Sequence, residues 1–126
     1  MKLAKRVRMV FADDSDIHHF YLSNLLPAFP NLELVHMAKD GKGLLSFLEQ
    51  QADVPDVGII DLHMPVLDGI STTRELLQRY PRIRIYGFTS SSDAREKEMM
   101  LQVGMCKIYA KNELRELLAE IAACNG

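Results

Sequence analysis

No apolar run in this chain approaches the ~20 residues that a membrane-spanning helix needs, so none is expected. The start, Met1-Lys2-Leu3-Ala4-Lys5-Arg6-Val7-Arg8, is basic like the first segment of a signal peptide. The apolar stretch behind it, residues 9–12, is short and meets Asp13 and Asp14 at once, which argues against a secretory leader. Cysteine is scarce. Cys106 and Cys124 form no CxxC pair, which sets aside a disulfide framework and a cysteine-built zinc site and makes a reducing cytoplasm the default location. No charge of one sign dominates: the net charge of -2 argues against a nucleic-acid surface covering the whole domain, though not against a local basic patch. Internal repeats, low-complexity tracts and linkers are missing too, so residues 1–126 read as one domain.

What is present is an ordinary globular mixture, 48% hydrophobic and 25% charged, long enough for a real core. It is organised around residues 57–69. A short apolar run, 57–60, reads as a buried strand ending in Asp61; a turn with Pro65 and Asp68-Gly69 leads into a helix. An acid where a buried strand meets its loop stands where open α/β sheets bind ligands.

Elsewhere strand and helix alternate. Residues 7–12 form a first strand, ended by Asp13-Asp14-Ser15-Asp16. Three carboxylates in four residues repel unless a cation joins them. Helix capping by Ser15 or Asp16 explains one or two of the acids, but not Asp13 beside the strand. A first helix, 17–26, carries Ile17, Phe20, Tyr21, Asn24 and Leu25 on one face, with His18 and His19 read as surface polar residues. Residues 32–38 form a mixed, edge-like strand. Asp40-Gly41 marks a turn, and 43–51 a helix with Leu44, Phe47 and Leu48 on one face. The third helix, 70–80, has the stripe Ile70, Thr73, Leu77 and Tyr80. A fourth strand, 83–88, runs into Thr89-Ser90-Ser91-Ser92-Asp93. The fourth helix, 94–103, is capped by Ser92 or Asp93 and stopped by Gly104. Met99, Met100 and Met105 read as core fillers. A fifth strand, 107–111, ends at Lys111, and Asn112 caps a last helix striped with Leu114, Leu117, Leu118 and Ile121; residues 124–126, with Cys124, fray off. Five alternations imply an α/β fold, a parallel sheet with helices on both faces.

Parallel strands end on one edge, so Asp13, Asp14, Asp61, Thr89, Ser90 and Lys111 can converge. Carboxylates can hold Mg²⁺, a lysine and a hydroxyl can bind phosphoryl oxygens, and one carboxylate can become an aspartyl phosphate. The competing structural explanation is a Lys111–Asp61 ion pair with separate caps.

These motifs, Asp13-Asp14-Ser15, the DLxMPxxDG run from Asp61 to Gly69, Thr89-Ser90 and Lys111, resemble the receiver domain of two-component response regulators over nearly the whole chain. The resemblance implies a flavodoxin-like, doubly wound sheet of five parallel strands in the order 2-1-3-4-5, with five helices on two faces. It implies a phosphorylation switch: a sensor histidine kinase or histidine phosphotransfer protein donates a phosphoryl group to Asp61. Asp14 and Asp61 would ligate Mg²⁺ directly, Asp13 through water, and His63 through its backbone carbonyl. Lys111, Thr89 and Ser90 would serve the phosphoryl group, and the surface of the fourth helix, fifth strand and fifth helix would change, with a homodimer through that face as one outcome. His63 and Ser91, two residues after Asp61 and Thr89, would line the route of the hydrolytic water. No membrane and no nucleic acid is expected for this domain itself.

Two positions depart from the family pattern. The place of the usual aromatic, three before the lysine, holds Ile108, with Tyr109 one later and so facing the other side of the sheet. Asn112 replaces the usual proline, a feature shared with receivers that precede helix-turn-helix domains and a weak hint of a missing DNA-binding output domain. They leave open a phosphorylation-independent pseudo-receiver that binds partners. A phosphatase is disfavoured, because residue 63 is histidine where an acid is expected; self-phosphorylation and self-dephosphorylation alone would not make the chain an enzyme of external substrates.

Overall fold

The computed structural model describes residues 5–123; Cys124 and the fraying expected around it lie outside that range. The elements are β1 Val7–Ala12, α1 Asp16–Leu25, β2 Leu32–Ala38, α2 Gly41–Glu49, β3 Val57–Asp61, α3 Gly69–Arg79, β4 Arg84–Thr89, α4 Ala94–Val103, β5 Lys107–Ala110 and α5 Leu114–Ala123. All strand pairs are parallel, in the order β2-β1-β3-β4-β5. This is the expected doubly wound α/β architecture. Among the described residues no helix is long and apolar enough to cross a membrane.

Side chains alternate across the sheet and divide the core into two. Met9, Phe11, Ile59, Phe88 and Tyr109 pack with α1 and α5 on one face. Val10, Ile60, Ile85 and Met105 pack with α2, α3 and α4 on the other. The α5 stripe Leu114, Leu117, Leu118 and Ile121 is buried as the pattern predicts. Tyr109 and Ile108 lie against opposite clusters, also as expected.

Several local expectations shift. In α1 the buried positions are Leu22 and Leu25, while Ile17, Phe20 and Tyr21 are exposed. In α3 the buried side is Gly69, Thr72, Thr73 and Leu76, one position round from the expected stripe. Thr72 tolerates burial because its hydroxyl donates to the Asp68 carbonyl at 2.7 Å. Asp40 and Asp68 are the N-caps of α2 and α3, accepting from Gly43 and Ser71, so both helices start earlier than expected. Asp93, not Ser92, caps α4. Gly104 ends it at a φ of 121°. Met100 and Met105 fill the space beside Gly87, whereas Met99 is exposed. Asn112 does not cap α5. A short 3-10 helix, Lys111–Glu113, precedes α5, and the Glu113 carboxylate accepts the Ala110 N–H at 2.8 Å. Lys111 is thus the first residue of this turn, not the last of β5.

The β3–α3 loop is tight. Leu67 N–H donates to the Pro65 carbonyl at 2.7 Å, and Val66 between them has a φ of 69°. That is a γ-turn of the rare, strained hand, here on a β-branched residue. The loop closes with Gly69 N–H donating to the Leu62 carbonyl at 2.8 Å. A Cβ at Gly69 would collide with the backbone of Asp61 and Leu62, so glycine is required there. Val66→Gly is expected to stabilise the fold by about 1 kcal/mol in urea unfolding, the relieved strain exceeding the entropy cost of glycine. Gly69→Ala is expected to cost about 2 kcal/mol in the same assay.

Candidate functional site

The site forms at the carboxyl edge of β1, β3, β4 and β5. Asp13 follows β1 and is fully buried, Asp61 ends β3 and is 5% exposed, and Thr89 ends β4 at 1%. Asp14 is exposed at the rim. Ligand oxygens of Asp13, Asp14 and Asp61 lie within 4.8 Å of one another. Lys111 reaches this group from the turn after β5. Its ammonium pairs with the Asp13 carboxylate and lies 3.2 Å from Asp61 Oδ1. Its Nζ sits 4.4 Å from the centre of the buried Phe88 ring, which adds a cation–π contact beneath it. The expected Lys111–Asp61 pair is present, but Asp13 is the closer partner.

Two residues read as surface polar groups belong to this site. His18 Nδ1 lies 3.1 Å from the Asp13 carboxylate and 3.3 Å from Lys111 Nζ. A proton on Nδ1 serves the carboxylate; a bare Nδ1 accepts from the ammonium. His19 Nε2 donates to the Asp13 backbone carbonyl at 2.6 Å, with its ring edge-on to Phe11. Their spacing with Leu22 and Leu25 already defined a second face of α1, which apolarity alone did not rank first. Ser15 N–H donates to Asp13 at 2.8 Å, so the acid turn is held from both sides.

Thr89 Oγ1 accepts the Ser91 N–H at 3.0 Å, which leaves its own proton free to donate. Ser90 is exposed beside it. Ser91 Oγ donates to Glu96 at 2.5 Å. His63 is exposed, and its Nε2 lies 3.5 Å from the other Glu96 oxygen. Glu96 carried no signal in the sequence beyond its position three residues after the Asp93 cap.

Burial pushes the Asp61 carboxyl above its ordinary value; Lys111 opposes that push, while Asp13 and Asp14 add to it. Three carboxylates against one ammonium leave an excess of two negative charges, and every donor is a hard oxygen. Such a set fits a divalent cation of the Mg²⁺ class.

The sequence model of the family described as "Response regulator receiver domain" matches residues 9–122. Among curated relatives, a protein-glutamate methylesterase/protein-glutamine glutaminase of Methanospirillum hungatei is 28% identical over 83% of this chain and 30% of its own length. The transcriptional regulatory protein DegU of Brevibacillus brevis is 27% identical over 91% of this chain and 48% of its own length. The chain therefore spans a third to a half of these relatives. A DNA-binding response regulator of the LuxR family from Staphylococcus aureus shares the fold, with a TM-score of 0.84 at 18% identity over 95% of this chain and 99% of that one.

The raised Asp61 carboxyl carries a sign. A folded-state value above the unfolded one means that the native state holds the proton more tightly, so stability falls as pH rises from about 3.9 through the folded value. Without divalent cations, Asp61→Asn is expected to be more stable than the parent at pH 7, by on the order of 1 kcal/mol. That advantage should fade below about pH 4. Urea midpoints at pH 3.5, 5 and 7 measure it; an advantage independent of pH would refute the electrostatic cause.

Proposed function

The chain belongs to the response regulator receiver domain family, and on that premise we propose that it is a phosphorylation-controlled switch whose acceptor is Asp61. The observation that carries this reading is a buried carboxylate at the end of the central strand, 3.2 Å from Lys111 and within reach of two further acids. The donor is the phosphohistidine of a sensor histidine kinase or a histidine phosphotransfer protein. An Asp61 oxygen attacks phosphorus in line; the P–N bond breaks, its electron pair leaves with the imidazole nitrogen, and a mixed anhydride forms on Asp61.

Lys111 places a fixed positive charge where the transferring oxygens gather, so its contribution is electrostatic positioning. Asp13, Asp14, Asp61 and the backbone carbonyl of His63 would hold Mg²⁺, which supplies charge neutralisation for the phosphoryl oxygens when bound. His18 and His19 keep Asp13 aimed at Lys111. Thr89 has a free proton to give to a new phosphoryl oxygen, with Ser90 beside it. That bond biases a two-state equilibrium and so alters the face made by α4, β5 and α5, through which a homodimer would form.

The response differs from the usual pattern at β5. Tyr109 donates its hydroxyl to Glu120 at 2.7 Å on the α5 side, and Lys107 lies over its ring. A pinned tyrosine on that side does not follow Thr89, which supports a response carried by α4 instead. It is also the observation that favours the alternative, a pseudo-receiver binding partners without phosphorylation. On either reading residues 1–126 act as one receiver domain, in the cytoplasm, without turnover of an external substrate. The longer relatives support an output domain, DNA-binding or otherwise, in the same polypeptide or a partner; this domain itself engages neither membrane nor nucleic acid.

Intact mass after incubation with acetyl phosphate tests the reading. One labile phosphoryl adduct is expected, dependent on Mg²⁺, absent in Asp61→Ala and reduced at least tenfold in Lys111→Met, since loss of one preorganised charge contact costs about 2–4 kcal/mol. No adduct with Mg²⁺ present would favour the pseudo-receiver, and an adduct surviving in Asp61→Ala would place the acceptor elsewhere.

A further inference from the structure

α4 and α5 lie on opposite faces of the sheet, and they are held very differently. α5 sinks Leu114, Leu117, Leu118 and Ile121 into its core. Its Glu120 accepts from the Tyr109 hydroxyl at 2.7 Å and from Lys107 Nζ at 3.0 Å, both on β5. Near its end, the Asn31 amide donates to the Ala122 carbonyl at 3.0 Å and to the Lys5 carbonyl at 3.1 Å, which ties the helix to the chain just before β1. α4 has a single fully buried residue, Met100. Met99 and Leu101 on either side of it are exposed, and Val103 is only partly buried.

The seat of Met100 is a gap in β4. A Cβ at Gly87 would stand 2.7 Å from Met100 Cε, 2.8 Å from Met105 Sδ and 3.2 Å from Ile108 Cγ1. Two methionines thus fill the place of a side chain that β4 lacks, and an unbranched thioether adapts by rotation where a branched residue is stiff. Thr89 lies two residues further along β4, so its side chain leaves the same face of the strand as position 87. It is buried and now accepts the Ser91 N–H at 3.0 Å. Turning toward a phosphoryl group takes that oxygen from the loop before α4 and moves volume on the α4 side, in an interior packed without slack. The far end of α4 is fixed: Gly104 stops the helix at a φ of 121°, and Cys106 N–H donates to the Ile85 carbonyl at 2.7 Å, back on β4.

We propose that Met100 is a positioning residue of the switch: seated in the gap left by Gly87, it carries the movement of Thr89 to α4, which swings about Gly104 while β5 and α5 stay fixed. The proposal rests on Asp61 being the acceptor and on Thr89 answering it. With Tyr109 held on the opposite face and Ile108 branched, Met100 is the side chain on the α4 face of Gly87 that is both free to rotate and attached to a weakly held helix.

The test compares the full chain with Gly87→Ala and Met100→Leu, each with and without acetyl phosphate and Mg²⁺. Intact mass counts the adduct, amide exchange follows α4 and α5, and carbon-13 labelled methionine methyls report the core. In the parent, phosphorylation is expected to change exchange in α4 by at least about fivefold, the low end of ordinary coupling between sites, and to leave Leu117, Leu118 and Ile121 as they were. The Met100 methyl resonance should move, while that of Met9, in the other core, stays. A methyl at position 87 displaces only the flexible ends of two methionines, so Gly87→Ala is expected to fold; Met100→Leu keeps the bulk but not the reach. Both variants should still form the adduct and lose the α4 response. A response kept in both variants, or one as large in α5 as in α4, would overturn the proposal. So would an adduct in the parent with no change in α4, which leaves the acceptor assignment standing; no adduct at all would overturn both.

Discussion

The ammonium of Lys111, lodged between the carboxylates of Asp13 and Asp61, is the interaction on which the site depends. Two acids at adjacent strand ends, with a third at the rim, are costly to gather in a space that water scarcely reaches. One lysine offsets part of that charge, and removing it would leave the buried carboxylates uncompensated, a loss that typically costs about 3–5 kcal/mol. Much of the neighbouring structure serves to deliver that ammonium. Glu113 takes the Ala110 N–H, so the chain turns sharply after β5 and swings Lys111 over the sheet edge. Phe88 lies beneath it. His18 and His19 hold Asp13 against it from α1.

The five alternations and the convergence of Asp13, Asp61, Thr89 and Lys111 were legible because they rest on strong signals: buried parallel strands lack polar residues, and their ends share an edge; the strand order came only with the family resemblance. The errors share one cause. Helix faces were chosen by apolarity, and where the site or a cap supplied another stabilising contact, apolarity lost. The buried side of α1 holds two histidines because Asp13 offers them bonds, and that turns Ile17 and Phe20 outward. α3 buries Thr72 because its hydroxyl bonds back to Asp68, so the stripe rotates by one position. Asn112 looked like a cap, but Glu113 reaches Ala110 first. Glu96 was invisible because its contacts with Ser91 and His63 depend on where two loops pass each other, and no local spacing encodes that.

The turn at Val66 fits the same economy of placement. The β3–α3 loop must carry Met64 into the core and return to Gly69, whose missing Cβ lets α3 begin against the backbone of Asp61. A γ-turn makes that return in the fewest residues, and a β-branched residue in it concentrates strain within five positions of the acid.

The sheet also works as a party wall. Its two faces carry separate hydrophobic cores, one beneath α1 and α5, the other beneath α2, α3 and α4. Substitutions in cores that share no contacts tend to act additively. The two halves can therefore diverge on independent schedules: a lineage can rebuild the α2–α4 side around a new neighbour while the α1–α5 side keeps an old one. What neither half can change alone is the edge where both meet, because the side chains gathered there are drawn from strands that belong to both.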